Sequence, residues 1–254
     1  MKTLALIPAR YASTRFPGKP LADIEGKPMI QRVYERASSV FPACYVATDD
    51  ERIEAAVKAF GGKTVMTSTE HRSGTDRCRE ALDTIEAQTG ERFDAVINIQ
   101  GDEPFVHTEQ LKQLTTCLSD PDAQIATLVK PFTEEEDIFN PNSPKVVLSR
   151  DGYALYFSRS VIPFLRGVED TKQWQASRRF FKHLGLYAYR AEVLRDITGL
   201  PAGELEQAES LEQLRWLENG YRIKVAVTDR QSHAVDTPED LAEVIRLYRE
   251  QLVK

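Results

Sequence analysis

Through the first half of the chain, short apolar runs alternate with stretches whose apolar residues recur at helical spacing. Residues 4–7, 45–47, 64–66 and 95–99 predict buried strands. Between them Met29, Ile30, Val33, Tyr34 and Ala37 share one helical face. So do Ile53, Ala56, Val57 and Phe60, and then Ala81, Leu82 and Ile85. Repeated strand–helix–strand order, with strands apolar on both sides, predicts an α/β fold: a mostly parallel sheet sandwiched by helices. Ligands on such sheets bind outside the carboxyl ends of the strands. The loops that follow the strands are therefore where chemistry is expected.

The second half has a different texture. Residues 131–152 are polar and proline-rich, with an acidic run at 134–137 that reads as a solvated loop or helix start. Strands are expected at 146–148, 153–157, 184–189 and 223–227, and a helix over 206–218. Residues 166–180 form a long polar insertion studded with aromatics. The last helix is well signalled, with Thr237 as N-cap and Pro238 in the first turn. Leu241, Val244, Ile245, Tyr248 and Leu252 line one of its faces.

Charge narrows the function classes. The 254 residues carry 33 Lys plus Arg against 39 Asp plus Glu, a net charge of −6, which argues against a dedicated nucleic-acid binder. No stretch approaches the roughly 20 apolar residues of a membrane span, and the opening run is too short for a signal peptide, so a cytoplasmic protein is expected. Cys44, Cys78 and Cys117 lie far apart and His71, His107, His183 and His233 form no ligand motif. A hard cation on oxygen ligands, magnesium above all, is the better expectation than zinc.

Against that acidic background, the loop after the first strand stands out. IPARYASTRFPGKPL, residues 7–21, gathers Arg10, Arg15 and Lys19 with Ser13, Thr14 and Gly18, a set suited to a polyphosphate. It is neither a Walker A loop nor a dinucleotide fingerprint, and a solvated basic loop is its bland alternative. After the fourth strand, NIQGDEP puts Asp102 at the strand end, as a magnesium ligand or a turn cap. Asp236, just before the final helix, is its proposed companion or simply part of a good helix start. In EHRSGTDR, Ser73, Gly74 and Thr75 are candidates to cap the next helix, and Arg77 in its first turn opposes the helix dipole unless it has an anionic partner, with a surface salt bridge as the bland alternative. Glu209, Glu212, Gln213 and Trp216 would share one face of the 206–218 helix, either toward a polyhydroxylated ligand or toward water.

IPARYASTRFPGKPL, EHRSGTDR, NIQGDEP, NPNSPKVV, GYALYFSRSVIP, KHLGLYAYR, LEQLRWLE and VDTPEDL, in this order, resemble the 3-deoxy-manno-octulosonate (Kdo) cytidylyltransferases, over residues 7–241. The resemblance implies a Rossmann-like nucleotidyltransferase fold with a smaller sugar-binding and dimerisation lobe, and a homodimer. It implies one cytidylyltransferase domain: a nucleotide part over about 1–130, a sugar and dimer part over about 131–230, and a metal-ligand loop with the last helix over 231–254. The implied reaction is CTP + Kdo → CMP-Kdo + pyrophosphate with Mg²⁺, feeding lipopolysaccharide assembly. By similarity Arg10, Ser13 and Lys19 hold the triphosphate with Arg15 nearby, and Ser73 and Arg77 help bind the nucleotide. Gln100 contacts the sugar acid, Asp102 and Asp236 hold magnesium, and Arg159, His183, Tyr187, Glu212 and Gln213 line the Kdo pocket.

Three stretches depart from the family pattern. RQSHA at 230–234 stands where a Gly-rich turn is common, Gln207 stands where histidine is frequent, and the 166–180 insertion carries no motif. The second leaves 8-amino-Kdo or another sugar acid as the alternative substrate. A glycosyltransferase is less well matched, because its Asp-x-Asp is absent from the strand end. A non-catalytic paralogue would be expected to have lost Lys19 or an aspartate, and all three are present.

Overall fold

The structure, a computed structural model, describes residues 1–13, 15–177, 179–231 and 233–250. Thr14 of the first loop, Arg178 of the insertion, Ser232 and Leu252 lie outside them. In chain order the strands are β1 (Thr3–Ala9), β2 (Asp23–Ile24), β3 (Lys27–Pro28), β4 (Cys44–Thr48), β5 (Thr64–Met66), β6 (Ala95–Asn98), β7 (Ile125–Pro131), β8 (Lys145–Leu148), β9 (Ala154–Ser158), β10 (Phe181–Arg190) and β11 (Ile223–Val227). The helices are α1 (Met29–Ser38), α2 (Glu51–Ala59), α3 (Gly74–Thr89), α4 (Thr108–Cys117), α5 (Trp174–Ser177), α6 (Ala191–Ile197), α7 (Glu204–Glu209), α8 (Gln213–Glu218) and α9 (Pro238–Arg249). The chain divides into two compact units, one of residues 1–112, 190–198 and 232–254 and one of 113–189 and 199–231.

The first unit is built on four parallel strands in the order β6-β1-β4-β5. Leu4, Ala5, Leu6 and Ile7 of β1 are fully buried, as are Val96 and Ile97 of β6, which is why these runs lack polar alternation. Met29, Ile30, Val33 and Ala37 are the buried face of α1, and Ile53 and Val57 that of α2, as their spacing requires. From β1 the chain runs to β4 on one side, while β6 pairs on the other. The carboxyl ends of β1 and β6 thus flank a topological switch point. Asp50, Ser73 and Thr237 each accept a backbone N–H at the start of α2, α3 and α9.

In the second unit β7 lies between β11, parallel to it, and β10, antiparallel, and β8 and β9 continue from β10 as an antiparallel pair. The register of β10 shifts between Leu184 and Tyr187. There the Thr127 hydroxyl lies 2.8 Å from the Leu186 carbonyl and 3.2 Å from that of Leu184, satisfying the disturbed ladder. Trp174 of the insertion packs with Ile138 and Phe180 in a small apolar cluster.

One expected element is corrected. The helix over 206–218 is two short helices, α7 and α8, because Ser210 takes a left-handed conformation at φ 50°. Glu209, Glu212, Gln213 and Trp216 therefore do not share one continuous helical face. The break is held by its neighbours: the Glu209 carboxylate accepts from the Ser158 hydroxyl at 2.7 Å and the Arg159 N–H at 2.8 Å. Trp216 is buried edge-on against Tyr187 and Tyr189.

Candidate active site

The loop after β1 is shaped by its own residues. Gly18 sits at φ +73°, with the Tyr11 ring 3.0 Å from where a Cβ would be, so only glycine fits the turn that starts the Lys19–Leu21 helical turn. The Arg52 guanidinium stacks over the Tyr11 ring, 3.3 Å from its centre. After β6, a Cβ on Gly101 would stand 2.8 Å from the Pro8 carbonyl, so glycine here lets the two strand ends approach each other. The third part arrives from the far end of the sequence. Val235, fully buried beside Ile24, Met29 and Phe105, donates its N–H to the Asp102 carbonyl at 2.9 Å and so fixes the next residue, Asp236.

These loops line a cleft of about 340 Å³ whose walls include Arg10, Ser13, Arg15, Lys19, Ser73, Arg77, Gln100, Asp102 and Asp236. Nine sequence-predicted residues thus meet in one place, drawn from four separate stretches. At the centre the Lys19 ammonium donates to Asp102 Oδ2 at 2.8 Å and to Asp236 Oδ1 at 3.2 Å. Arg15 pairs with the other Asp236 oxygen at 3.1 Å. The Asp236 N–H and the Thr237 N–H both donate to Asp240, at 3.0 and 2.9 Å. Burial pushes the Asp240 carboxyl up, but these N–H bonds outweigh it and hold the group below its ordinary value.

Two cleft residues are already engaged. Ser73 Oγ accepts the Asp76 N–H at 3.0 Å as the cap of α3. Arg77, nearly buried, donates to Asp49 at 2.7 Å and to Thr67 at 2.5 Å. The anion that its place in the first turn calls for is thus Asp49, a partner the motif alone did not reveal. His71 and Arg72 also line the cleft, and His71 Nε2 is hydrogen-bonded to Glu80. Both stand in EHRSGTDR beside Ser73, which was the signal for them.

Two carboxylates sharing a single ammonium are a usable cation site. Among the described residues no group of three or more His, Cys, Asp or Glu is placed to hold a metal ion. A cation held here would draw its remaining ligands from water and phosphate, the habit of magnesium. Lys19 is itself a stand-in cation between the two carboxylates, and the donor set is all oxygen. The residues present fit the ion.

Arg159, His183, Tyr187, Glu212 and Gln213 belong to the second unit. The Arg159 guanidinium donates to three backbone carbonyls, of Glu209 at 2.5 Å, Pro141 at 2.9 Å and Ser210 at 3.2 Å. Lys145, fully buried, donates to the Arg159 carbonyl at 2.6 Å and the Asn140 carbonyl at 2.9 Å, so it ties both loops around that arginine. His183 lies edge-on to Phe157 and beside Tyr187. Burial pulls its pKa down to about 3, so the ring is neutral. The single Thr127 proton serves the Leu186 carbonyl, so at 3.1 Å His183 Nε2 is the donor to that hydroxyl and Nδ1 remains an acceptor. Tyr187 Oη and Gln213 Nε2 are buried without a hydrogen bond of ordinary geometry. Burial first, and then the charge of Glu212, raise the Tyr187 phenol. Gln207 is exposed, its amide 3.4 Å from the Ala202 carbonyl.

The cytidylyltransferase family profile matches residues 4–223. A 3-deoxy-manno-octulosonate cytidylyltransferase from Parabacteroides distasonis is 61% identical over 96% of this chain and 97% of its own length. One from Porphyromonas gingivalis is 55% identical over 98% of each. Among solved structures, a CMP:2-keto-3-deoxy-manno-octonic acid synthetase complexed with CTP superposes with a TM-score of 0.89 at 44% identity, covering 99% of this chain and all of that one. A cytidylyltransferase from Leptospira borgpetersenii, at TM-score 0.60 and 14% identity, shares the fold alone. The chain belongs to the 3-deoxy-manno-octulosonate cytidylyltransferase family.

Proposed function

We infer that the chain transfers CMP from CTP to the anomeric hydroxyl of Kdo, releasing pyrophosphate. The observation that carries the reading is the cleft at the ends of β1 and β6, where Arg10, Arg15 and Lys19 surround Asp102 and Asp236. Its likeness to relatives with that named activity adds the base and the sugar. CTP and Kdo are both anions, so joining them costs electrostatic energy that fixed cations offset. Arg10, with Lys19 and Arg15, would neutralise the triphosphate and then the departing pyrophosphate, with Ser13 as a neutral contact. Gln100 would contact the sugar acid. The anomeric oxygen forms the new bond to the α-phosphorus and gives up its proton to solvent as the bond to the bridging β-phosphate oxygen breaks, so no side-chain nucleophile is needed.

Asp102 and Asp236 would hold Mg²⁺. Bound there, the ion would supply Lewis acidity toward phosphoryl and hydroxyl oxygens. Arg159 would receive the sugar acid's carboxylate, its guanidinium preset by three carbonyls. His183 Nδ1, Tyr187 Oη, Glu212 and Gln213 would take the hydroxyls. We further propose a homodimer, supported by the apolar side chains that the second unit leaves exposed, among them Phe164 at 74% and Leu155 at 61%. A cytoplasmic setting is supported by the three free cysteines. No helix of the described residues is long and apolar enough to cross a membrane.

The test is pyrophosphate release with CTP and Mg²⁺, comparing Kdo, 8-amino-Kdo and sialic acid. Turnover that needs Kdo and metal is expected. Folded protein that binds CTP yet turns over none of the three would overturn the reading.

A further inference from the structure

We infer that Lys19 is the cleft's own counter-ion, holding the Asp102–Asp236 pair closed to a divalent cation until the phosphates of CTP draw its ammonium away. Metal would then enter with the nucleotide or after it, never before. This rests on the reading of Asp102 and Asp236 as the metal-holding pair.

The charge count motivates it. Two carboxylates meet two cations, Lys19 on Asp102 Oδ2 and Asp236 Oδ1, and Arg15 on Asp236 Oδ2. Those four groups sum to zero, and the Asp240 carboxylate at the Asp236 N–H adds one negative charge that Arg10 on the cleft wall offsets. A divalent ion arriving alone would have to expel one ammonium or add two charges to a site with no net attraction for it. The ammonium is also enclosed: the Lys19 side chain is 13% exposed and that of Asp102 28%, so water screens their pairing incompletely.

The root of Lys19 is fixed, and only its flexible stem has to turn for the ammonium to change partners. Gly18 packs under Tyr11, and the buried Pro20 anchors the helical turn. The four-carbon stem and three donors of lysine allow the same ammonium to change acceptors without moving the backbone. Triphosphate oxygens brought in beside Arg10 and Ser13 offer those acceptors. Once Lys19 has turned to them, Asp102 Oδ2 and Asp236 Oδ1 are released while Arg15 stays on Asp236 Oδ2, and one or two carboxylates are what a magnesium ion takes together with phosphate. Nucleotide and metal are then coupled through one side chain, and removing that side chain should remove part of the coupling.

The experiment uses the full chain, Mn²⁺ as the spectroscopic probe, and a CTP analogue with a methylene between the α and β phosphorus. Free Mn²⁺ is followed by electron paramagnetic resonance. Wild type should bind the analogue in EDTA, bind Mn²⁺ weakly alone, and bind Mn²⁺ well once the analogue is present. Lys19→Met without nucleotide should bind Mn²⁺ about tenfold more tightly than wild type without nucleotide. Adding Asp102→Asn to that variant should abolish the gain. Mg²⁺ should raise the Tm of Lys19→Met more than that of wild type, because it replaces the lost cation.

Lys19→Met binding Mn²⁺ no better than nucleotide-free wild type, while wild type with the analogue binds it well, overturns the gate and leaves the metal pair standing. Mn²⁺ binding with the analogue that ignores Asp102→Asn overturns the metal pair and the gate with it. Should Lys19→Met fail to fold, wild type still decides. Mn²⁺ bound as tightly without the analogue as with it overturns the inference.

Discussion

Asp102 makes its contribution through two different atoms. Its carbonyl takes the Val235 N–H and draws the C-terminal loop into place, while its carboxylate meets Lys19. Asp102→Asn keeps the backbone contact and the side-chain volume and removes only the charge. The fold should therefore survive, with an unchanged circular dichroism spectrum. Turnover should fall by about two to four orders of magnitude, since several kcal/mol of transition-state stabilisation are at stake. Near-normal turnover would exclude a metal role for this carboxylate. Arg77 is the contrasting case. It lines the same cleft, but with Asp49 and Thr67 it also ties the start of α3 to the ends of β4 and β5. Arg77→Ala should thus lower the Tm as well as CTP affinity, whereas Arg10→Ala, at an exposed position, should lower affinity alone.

At the scale of elements, β10 and the loops near it carry the second unit's chemistry in buried polar groups. His183 is held neutral, with its pKa lowered to about 3, and the sign follows from that direction. A histidine depressed in the folded state is more readily protonated when unfolded, so stability is full above about pH 6.5 and is lost as pH falls toward 3. The loss should be at most about 1.4 kcal/mol per pH unit. Both tryptophans, Trp174 and Trp216, lie in this unit, so the fluorescence-detected urea midpoint between pH 7 and 4 reports it, and His183→Gln should flatten the slope. Lys145 acts through Arg159. Lys145→Met leaves the carbonyls of Asn140 and Arg159 without their donor and should raise the KM for Kdo about tenfold, with the KM for CTP unchanged. Equal changes in both would reduce Lys145 to a structural role. Such features are where the sequence falls silent. The parallel strands and the faces of α1, α2 and α9 are legible because burial on both sides or on one stripe leaves a periodic trace. β7 leaves no such trace, because its apolar run ends in Lys130 and Pro131 and merges into the polar stretch. The break at Ser210 has no compositional mark, since serine rarely adopts a left-handed backbone and does so here because Glu209 is held by Ser158 and Arg159. Lys145, between a proline and two valines, gives no sign in the sequence that it is fully buried.

The molecule as a whole separates its charges. A chain with a net charge of −6 would repel both of its anionic substrates, yet Arg10, Arg15 and Lys19 are concentrated in a single loop. The motif strings made that loop and the two aspartates legible. What they could not give is the division of labour, because it depends on where the chain returns. After residue 112 it leaves the first unit, and it comes back for 190–198 and again from 232, so that Asp236 joins Asp102 inside one unit. Every described residue of the nucleotide cleft lies in that unit, and Arg159, His183, Tyr187, Glu212 and Gln213 all lie in the other. Substrate contacts supplied by different units are expected to add. Arg159→Ala should leave the Kd for CTP, measured by calorimetry, within about twofold of wild type. The same variant should raise the KM for Kdo at least about tenfold, as expected for losing a charged contact to a carboxylate. Lys19→Met should reverse the pattern, weakening CTP and sparing the response to Kdo concentration. If Arg159→Ala weakens CTP and Kdo together, the two units do not hold their substrates independently, and the assignment of Arg159 to the sugar acid fails with that independence.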